Sequence, residues 1–110
     1  MKAAAIYARV STRDQADNGT SLDSQVDACR RYATAQGYQV MGEFREDYTG
    51  TAVSRPEMNK VRAMAAGKEI DAVIVYKPDR LGRARSTSVL IKVELASHGV
   101  EVLYVDRETN

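Results

Sequence analysis

Arg9 and Ser11 stand two residues apart where the apolar run AAAIYA gives way to polar sequence, in the stretch YARVST. A serine hydroxyl is a weak nucleophile: it needs a neighbouring base, or an electrophile so activated by positive charge that little deprotonation is required early. The first route lacks its base. His98 is the sole histidine, and the pattern puts it at the C-terminal end of a helix, among exposed carbonyls. An acyl-transfer triad is therefore not expected. The second route is open, because KPDRLGRAR, Lys77 to Arg85, holds four basic residues and one acid, Asp79. Phosphoryl transfer gathers negative charge on phosphate oxygens, and its catalysis is largely positioning and electrostatic stabilisation. Arginines supply planar, bidentate, permanently charged donors for that task. Loss of one such donor typically costs about 3 kcal/mol, roughly a hundredfold or more in rate.

Taken singly, these residues have plainer readings. Loop arginines are mostly solvated, and a Ser-Thr pair after a strand is commonly a turn or a cap. Strand alternation favours the chemical reading, since it puts Arg9 and Ser11 on one side of the strand end and Val10 on the other.

Four apolar runs alternate with three helical patterns. The strands are expected at about 3 to 10, 38 to 45, 71 to 76 and 100 to 106. The first helix is expected from Ser21, an N-cap, to Gly37, with Leu22, Val26, Cys29 and Ala33 along one face. Pro56 suits the first turn of the second helix, whose Met58, Val61 and Ala65 point one way before Gly67. The third is expected from about Ser86 to Gly99 with Val89, Leu90, Val93 and Ala96 inward. DAVIVY and VEVLYVD read as strands covered on both faces, the mark of a parallel sheet. Right-handed crossovers then give an α/β three-layer sandwich of at least four strands, order 2-1-3-4, with helices on both faces. In such sheets ligands sit outside the carboxyl ends of the strands, where strand order reverses. That point lies between the first and third strands, so ARVST is expected beside KPDRLGR. Ser11 to Thr20 and Asp47 to Arg55 are expected as polar loops.

At 110 residues the chain has room for one core and one domain. No apolar stretch approaches the roughly 20 residues of a membrane helix, and no targeting pattern opens the chain, so the cytoplasm is the expected location. A lone Cys29 and a lone His98 fall short of a metal-ligand set, so no metal is expected. No Walker-type glycine loop is present, and no cofactor is expected. A receiver domain would end its strand in a carboxylate, and a dinucleotide binder would follow it with a glycine-rich turn; the nearest glycine is Gly19. Both fit poorly. With 16 Lys and Arg against 15 Asp and Glu, the net charge is +1. Tight DNA binding by the isolated chain is not expected, because non-specific affinity needs many phosphate contacts. Cys29 reads as core, Met58 and Met64 as helix-face packing, and Tyr7 as strand packing with its hydroxyl near the site.

YARVST with Gln15, SLDSQ at Ser21 to Gln25, Thr49-Gly50, Arg55-Pro56 and DRLGR at Asp79 to Arg83 together resemble the catalytic domain of serine recombinases. These comprise the resolvases, DNA invertases, and transposon and phage integrases. The resemblance implies a resolvase-like fold and site-specific DNA recombination. Ser11 would attack a DNA phosphodiester, giving a 5′-phosphoserine intermediate, then strand exchange and religation without ATP. It further implies that Arg9, Arg80 and Arg83 surround the scissile phosphate and that Asp79 assists proton transfer or orients them. Arg55 would be a further phosphate-side arginine, with Gln15, Gln25 and Thr49 supporting the site. DNA is the implied partner, with a homodimer and tetramer in the full-length enzyme and no small-molecule or membrane partner.

Two departures stand out. Thr49-Gly50 replaces the family's usual Ser-Gly, and Glu46, Asp47 and Tyr48 occupy a turn where many members carry Asp and Gly. Residues 1–110 are expected to be the catalytic domain, without the long dimerisation helix and DNA-binding domain that follow it in the family. The alternative reading is a catalytically incompetent recombinase domain serving as an interaction or regulatory module.

Overall fold

The computed structural model describes residues 2–11, 22–48, 56–76 and 85–105. Strands β1 (Lys2–Ser11), β2 (Tyr38–Tyr48), β3 (Ala72–Val75) and β4 (Glu101–Tyr104) alternate with helices α1 (Leu22–Gln36), α2 (Pro56–Ala66) and α3 (Arg85–Ser97). The strands pair in parallel in the order β2-β1-β3-β4, as the sequence predicts.

Strand alternation divides the core into two layers. Ala4, Ile6 and Ala8 of β1, with Ala72 and Ile74 of β3, meet Val26, Cys29 and Ala33 of α1. Ala5, Tyr7, Val73 and Val75 point the opposite way, to Met58, Val61 and Ala65 of α2 and to Ile91 and Leu95 of α3. The small alanines of β1 let the helices approach the central strand closely. Cys29 is fully buried, and burial pushes its thiol up to about 12.

β2 is longer than expected and carries an irregularity that redirects its second half. Ala4 pairs with Val40 and Ala5 with Gly42, so Met41 is bulged out of register. Because side chains alternate with period two, one extra residue exchanges the faces beyond it. Tyr38 and Val40 pack with the α1 layer, whereas Phe44 packs with the α2 and α3 layer. The charged FREDY stretch therefore continues as strand to Tyr48, instead of leaving as a loop at Asp47.

The face assigned to α3 from periodicity is reversed. Val89, Leu90 and Val93 are 50%, 69% and 61% exposed, and Ala96 is also exposed. Ile91 and Leu95 face the sheet instead. Two polar contacts agree with this rotation: Arg62 of α2 donates to Glu94 at 2.9 Å, and Lys92 lies 5.6 Å from the centre of the Tyr104 ring.

Helix ends follow their chemistry. Gly37 and Gly99 close α1 and α3 with φ of 81° and 79°, which glycine adopts without steric cost. α2 ends instead on Lys68, at φ 61°, with Lys68 N–H bonded to Ala65 O and Glu69 N–H to Met64 O. That is the Schellman pattern with a non-glycine residue in the left-handed position. The Lys68 ammonium also donates to the His98 carbonyl at 3.2 Å, joining the ends of α2 and α3.

Candidate active site

In a parallel sheet with crossover helices, every helix starts at the strands' carboxyl end and runs back. The end of β1 and the starts of α1, α2 and α3 thus share one end of the domain. β1, between β2 and β3, is where strand order reverses, and its last residue is Ser11. In the ladder Arg9 lies opposite Glu46 and Ser11 opposite Tyr48. The backbone of both expected site residues therefore belongs to the central strand; their side chains lie outside the described set. Gln25 is fully buried in the opening turns of α1, on the stripe that continues to Cys29. Gln15, Thr49, Arg55, Asp79, Arg80 and Arg83 lie outside the described residues. The segment carrying Asp79 to Arg83 follows Tyr76, directly after β3, whose Val75 pairs with Tyr7.

A carboxylate expected in the turn after the second strand proves to be a structural centre at this end. Glu46 is only 5% exposed. Its Oε1 accepts the Tyr7 hydroxyl at 2.8 Å and the Met58 N–H at 3.2 Å, while Oε2 accepts the Glu57 N–H at 3.2 Å. Pro56 opens α2 and has no N–H to satisfy. Glu57 and Met58 are then the second and third helical residues, whose N–H groups a capping side chain normally serves. Arg55, the residue before Pro56, carries donors only. Glu46 does the capping from β2, and its negative charge suits the positive end of the helix dipole. Tyr7 packs in the strand as expected and is buried through its hydroxyl. The signals available in sequence were a strand tyrosine needing a polar partner and a Pro-initiated helix preceded by a residue that cannot cap it.

On the other face, ion pairs fasten α1 to β2. Arg30 forks onto Glu43, with Nη2 to Oε1 at 2.9 Å, and Arg45 reaches Asp23 at 3.3 Å. The hydrogen bond from Arg30, helped by the Arg30 and Arg45 charges and opposed by desolvation, holds the Glu43 carboxyl below its ordinary value. These arginines are engaged with carboxylates, unlike a patch left open for phosphate.

Residues 4–110 match the family model described as the N-terminal domain of resolvase. The chain belongs to the resolvase family. It is 38% identical over 104 residues to a protein of Bacillus subtilis (strain 168) named as a DNA recombinase, an alignment covering 94% of this chain and 20% of that one. It is 32% identical over 104 residues to the Tn917 transposon resolvase of Enterococcus faecalis, covering 94% of this chain and 48% of the relative. This resolvase domain thus spans a fifth to about half of the curated relatives it matches. Among solved structures, the N-terminal catalytic domain of TP901-1 integrase superposes with a TM-score of 0.81 at 37% identity, over 94% of this chain and 78% of that one. The C-terminal catalytic domain of ISC1926 TnpA, an IS607-like serine recombinase, gives 0.82 at 30% identity, over 97% and 72%. Among the described residues no helix is long and apolar enough to cross a membrane.

Proposed function

We propose that this resolvase domain is the catalytic part of a serine-type site-specific DNA recombinase, with Ser11 as nucleophile. The observation that carries the reading is the course of β1, which keeps Arg9 and Ser11 in one strand, ending at the point of order reversal. The Ser11 Oγ forms a bond to a backbone phosphorus of DNA as the bond from phosphorus to the 3′-oxygen breaks. The serine proton is lost and the departing 3′-oxygen is protonated to a hydroxyl. The product is a 5′-phosphoserine linkage. Its phosphodiester is conserved, so attack by a 3′-hydroxyl after strand exchange reseals DNA without ATP.

In this reading Arg9, Arg80 and Arg83 neutralise the charge developing on the phosphate oxygens, and Arg55 supports them. Asp79 orients the arginines or assists proton transfer, while Gln15, Gln25 and Thr49 support the surrounding geometry. Residues 1–110 form the catalytic domain, and DNA affinity, dimer formation and tetramer formation belong to the longer protein. The near-neutral charge is in keeping with affinity residing elsewhere.

The test is Ser11→Ala in the chain joined to a sequence-specific DNA-binding domain. The expected result is loss of the 5′-linked protein–DNA adduct with site binding nearly unchanged. An undiminished adduct in that variant refutes Ser11 as the nucleophile.

A further inference from the structure

We infer that Arg45 is a positioning residue for the reaction: anchored by Glu43 in its own strand, it holds Asp23 and so fixes the opening turn of α1, with Gln25, against the strand that carries Arg9 and Ser11. The inference rests on the recombinase reading above and extends it to a charged seam that does not itself meet the phosphate.

The Met41 bulge builds the seam. Beyond it, Glu43 and Arg45 face α1 and lie opposite Ile6 and Ala8 of β1. Without that one-residue slip both would point to the α2 layer, where Phe44 packs. On α1 their partners are Asp23 and Arg30, seven residues apart and so about two turns along one face. Arg30 forks onto Glu43, with Nη2 to Oε1 at 2.9 Å, and pins the middle of the helix. Arg45 Nη1 stands 3.7 Å from the same Glu43 oxygen, while its Nε reaches Asp23 Oδ1 at 3.3 Å. Glu43 is the hub, with its side chain 24% exposed against 88% for Asp23.

Position gives the outer pair its role. Arg45 pairs in the ladder with Ala8, the residue before Arg9, and Asp23 lies two residues before the buried Gln25. The Arg30 fork holds α1 to β2 whether or not the outer pair forms, so Arg45 and Asp23 decide how closely the first turn sits. Asp27 is taken up by Arg31 at 2.9 Å and Arg30 at 3.6 Å, which leaves Asp23 as the helix carboxylate that Arg45 meets. Asp23, Ser24, Asp27, Arg30 and Arg45 line an open cavity of about 360 Å³. Water reaches the pair there, and an ion pair of that kind adds little to global stability. Its effect falls on a local equilibrium of the first turn, which it biases only by its own interaction strength.

For an exposed pair that bias is about fivefold at most. Arg45→Gln and Asp23→Asn should therefore each slow formation of the 5′-linked adduct about three- to fivefold, in the chain joined to a sequence-specific DNA-binding domain. The rates are read in single turnover with the site saturated, at a temperature where circular dichroism shows each variant folded, and site binding should be unchanged. The double variant should be no slower than the slower single one, because the two residues act as a pair. An arginine that served DNA directly would leave Asp23→Asn at or above the parental rate. Salt separates positioning from a merely structural loss: the gap between parent and Arg45→Gln should close as added salt screens the pair.

A second readout needs neither DNA nor activity. Val26 and Asp27 carry the N–H groups that close the first turn of a helix starting at Leu22. In the chain alone, Arg45→Gln should raise hydrogen exchange at those two amides about three- to fivefold, the same bias read in the free domain, while exchange in β3 stays unchanged. Single effects that multiply, a gap that salt does not close, parental adduct formation by Arg45→Gln or by Asp23→Asn, or unchanged exchange at Val26 and Asp27 each overturn the inference. Ser11→Ala separates the two levels. A persistent adduct in Ser11→Ala removes the nucleophile reading, whereas an inactive Ser11→Ala beside a fully active Arg45→Gln removes only the positioning role.

Discussion

Leu90 and Leu95 offer a test of the α3 orientation, because the same substitution in the same helix is expected to have opposite consequences. Leu95 is fully buried against the sheet, whereas Leu90 is 69% exposed. Truncating a buried leucine removes its transfer free energy and leaves a cavity, for about 2.7–5 kcal/mol. Full burial of a leucine contributes roughly 1.5–3 kcal/mol, so the third of Leu90 that is covered accounts for about 1 kcal/mol at most. Alanine's better helix propensity offsets a little of that. Leu95→Ala should therefore cost about 2–4 kcal/mol more than Leu90→Ala. At roughly 4 °C of midpoint per kcal/mol for a domain of this size, the two thermal midpoints should lie about 8 °C or more apart. Urea titrations followed by circular dichroism provide the free energies. Running them at two protein concentrations reveals any contribution from association through the exposed face. The inward face first read from the sequence predicts the reverse order. Equal costs, or a larger cost at Leu90, would falsify the packing described for α3.

Two further consequences concern charge and reactivity. Because the folded Glu43 carboxyl is held low by Arg30, its stabilisation is fully present above the unfolded carboxylate range near pH 4.3 and is lost as pH falls through the folded value. Glu43→Gln should be less stable than the parent at pH 7, with the two stability curves converging in acid; a pH-independent gap would contradict the Arg30 pairing. The buried Cys29 thiol, pushed up to about 12, should react with a disulfide reagent at pH 8 roughly a thousandfold slower than free cysteine, whose thiolate fraction is far larger. Its labelling should accelerate with denaturant in step with unfolding, and native labelling within tenfold of free cysteine would contradict the burial.

The contrast among the helices explains what was legible in the sequence. Met58, Val61 and Ala65 form the buried line of α2, and Val26, Cys29 and Ala33 that of α1. In each, periodicity pointed to the face that packs. α3 carries apolar residues on opposite sides, Ile91 and Leu95 on one and Val89, Leu90 and Val93 on the other. A periodic pattern cannot choose between two such faces; the contacts of Glu94 and Lys92 with neighbouring elements agree with the choice made by the fold. The order of strands was legible because alternating short apolar runs and helical segments admit few right-handed arrangements.

The end of β2 was hidden for a different reason. The strand was expected to stop at about residue 45 because polarity normally signals exposure, yet Arg45 and Glu46 find partners on opposite faces, Asp23 of α1 and the Tyr7 and α2 groups. Only tertiary pairing makes FREDY a strand, and only the Met41 bulge decides which charge goes to which face. The same limit applies to the candidate site. YARVST announced a polar strand end, and β1 does run through Ser11. Glu46 stayed invisible because its chemistry lies in donors supplied by residues 39 positions before it and 11 and 12 after it. Its burial is tolerable because all three donors converge on the charge, and removing the convergence would leave a carboxylate that the core cannot solvate. That mutual dependence ties β1, through Tyr7, to the opening turn of α2, so the geometry of one cannot relax without the other.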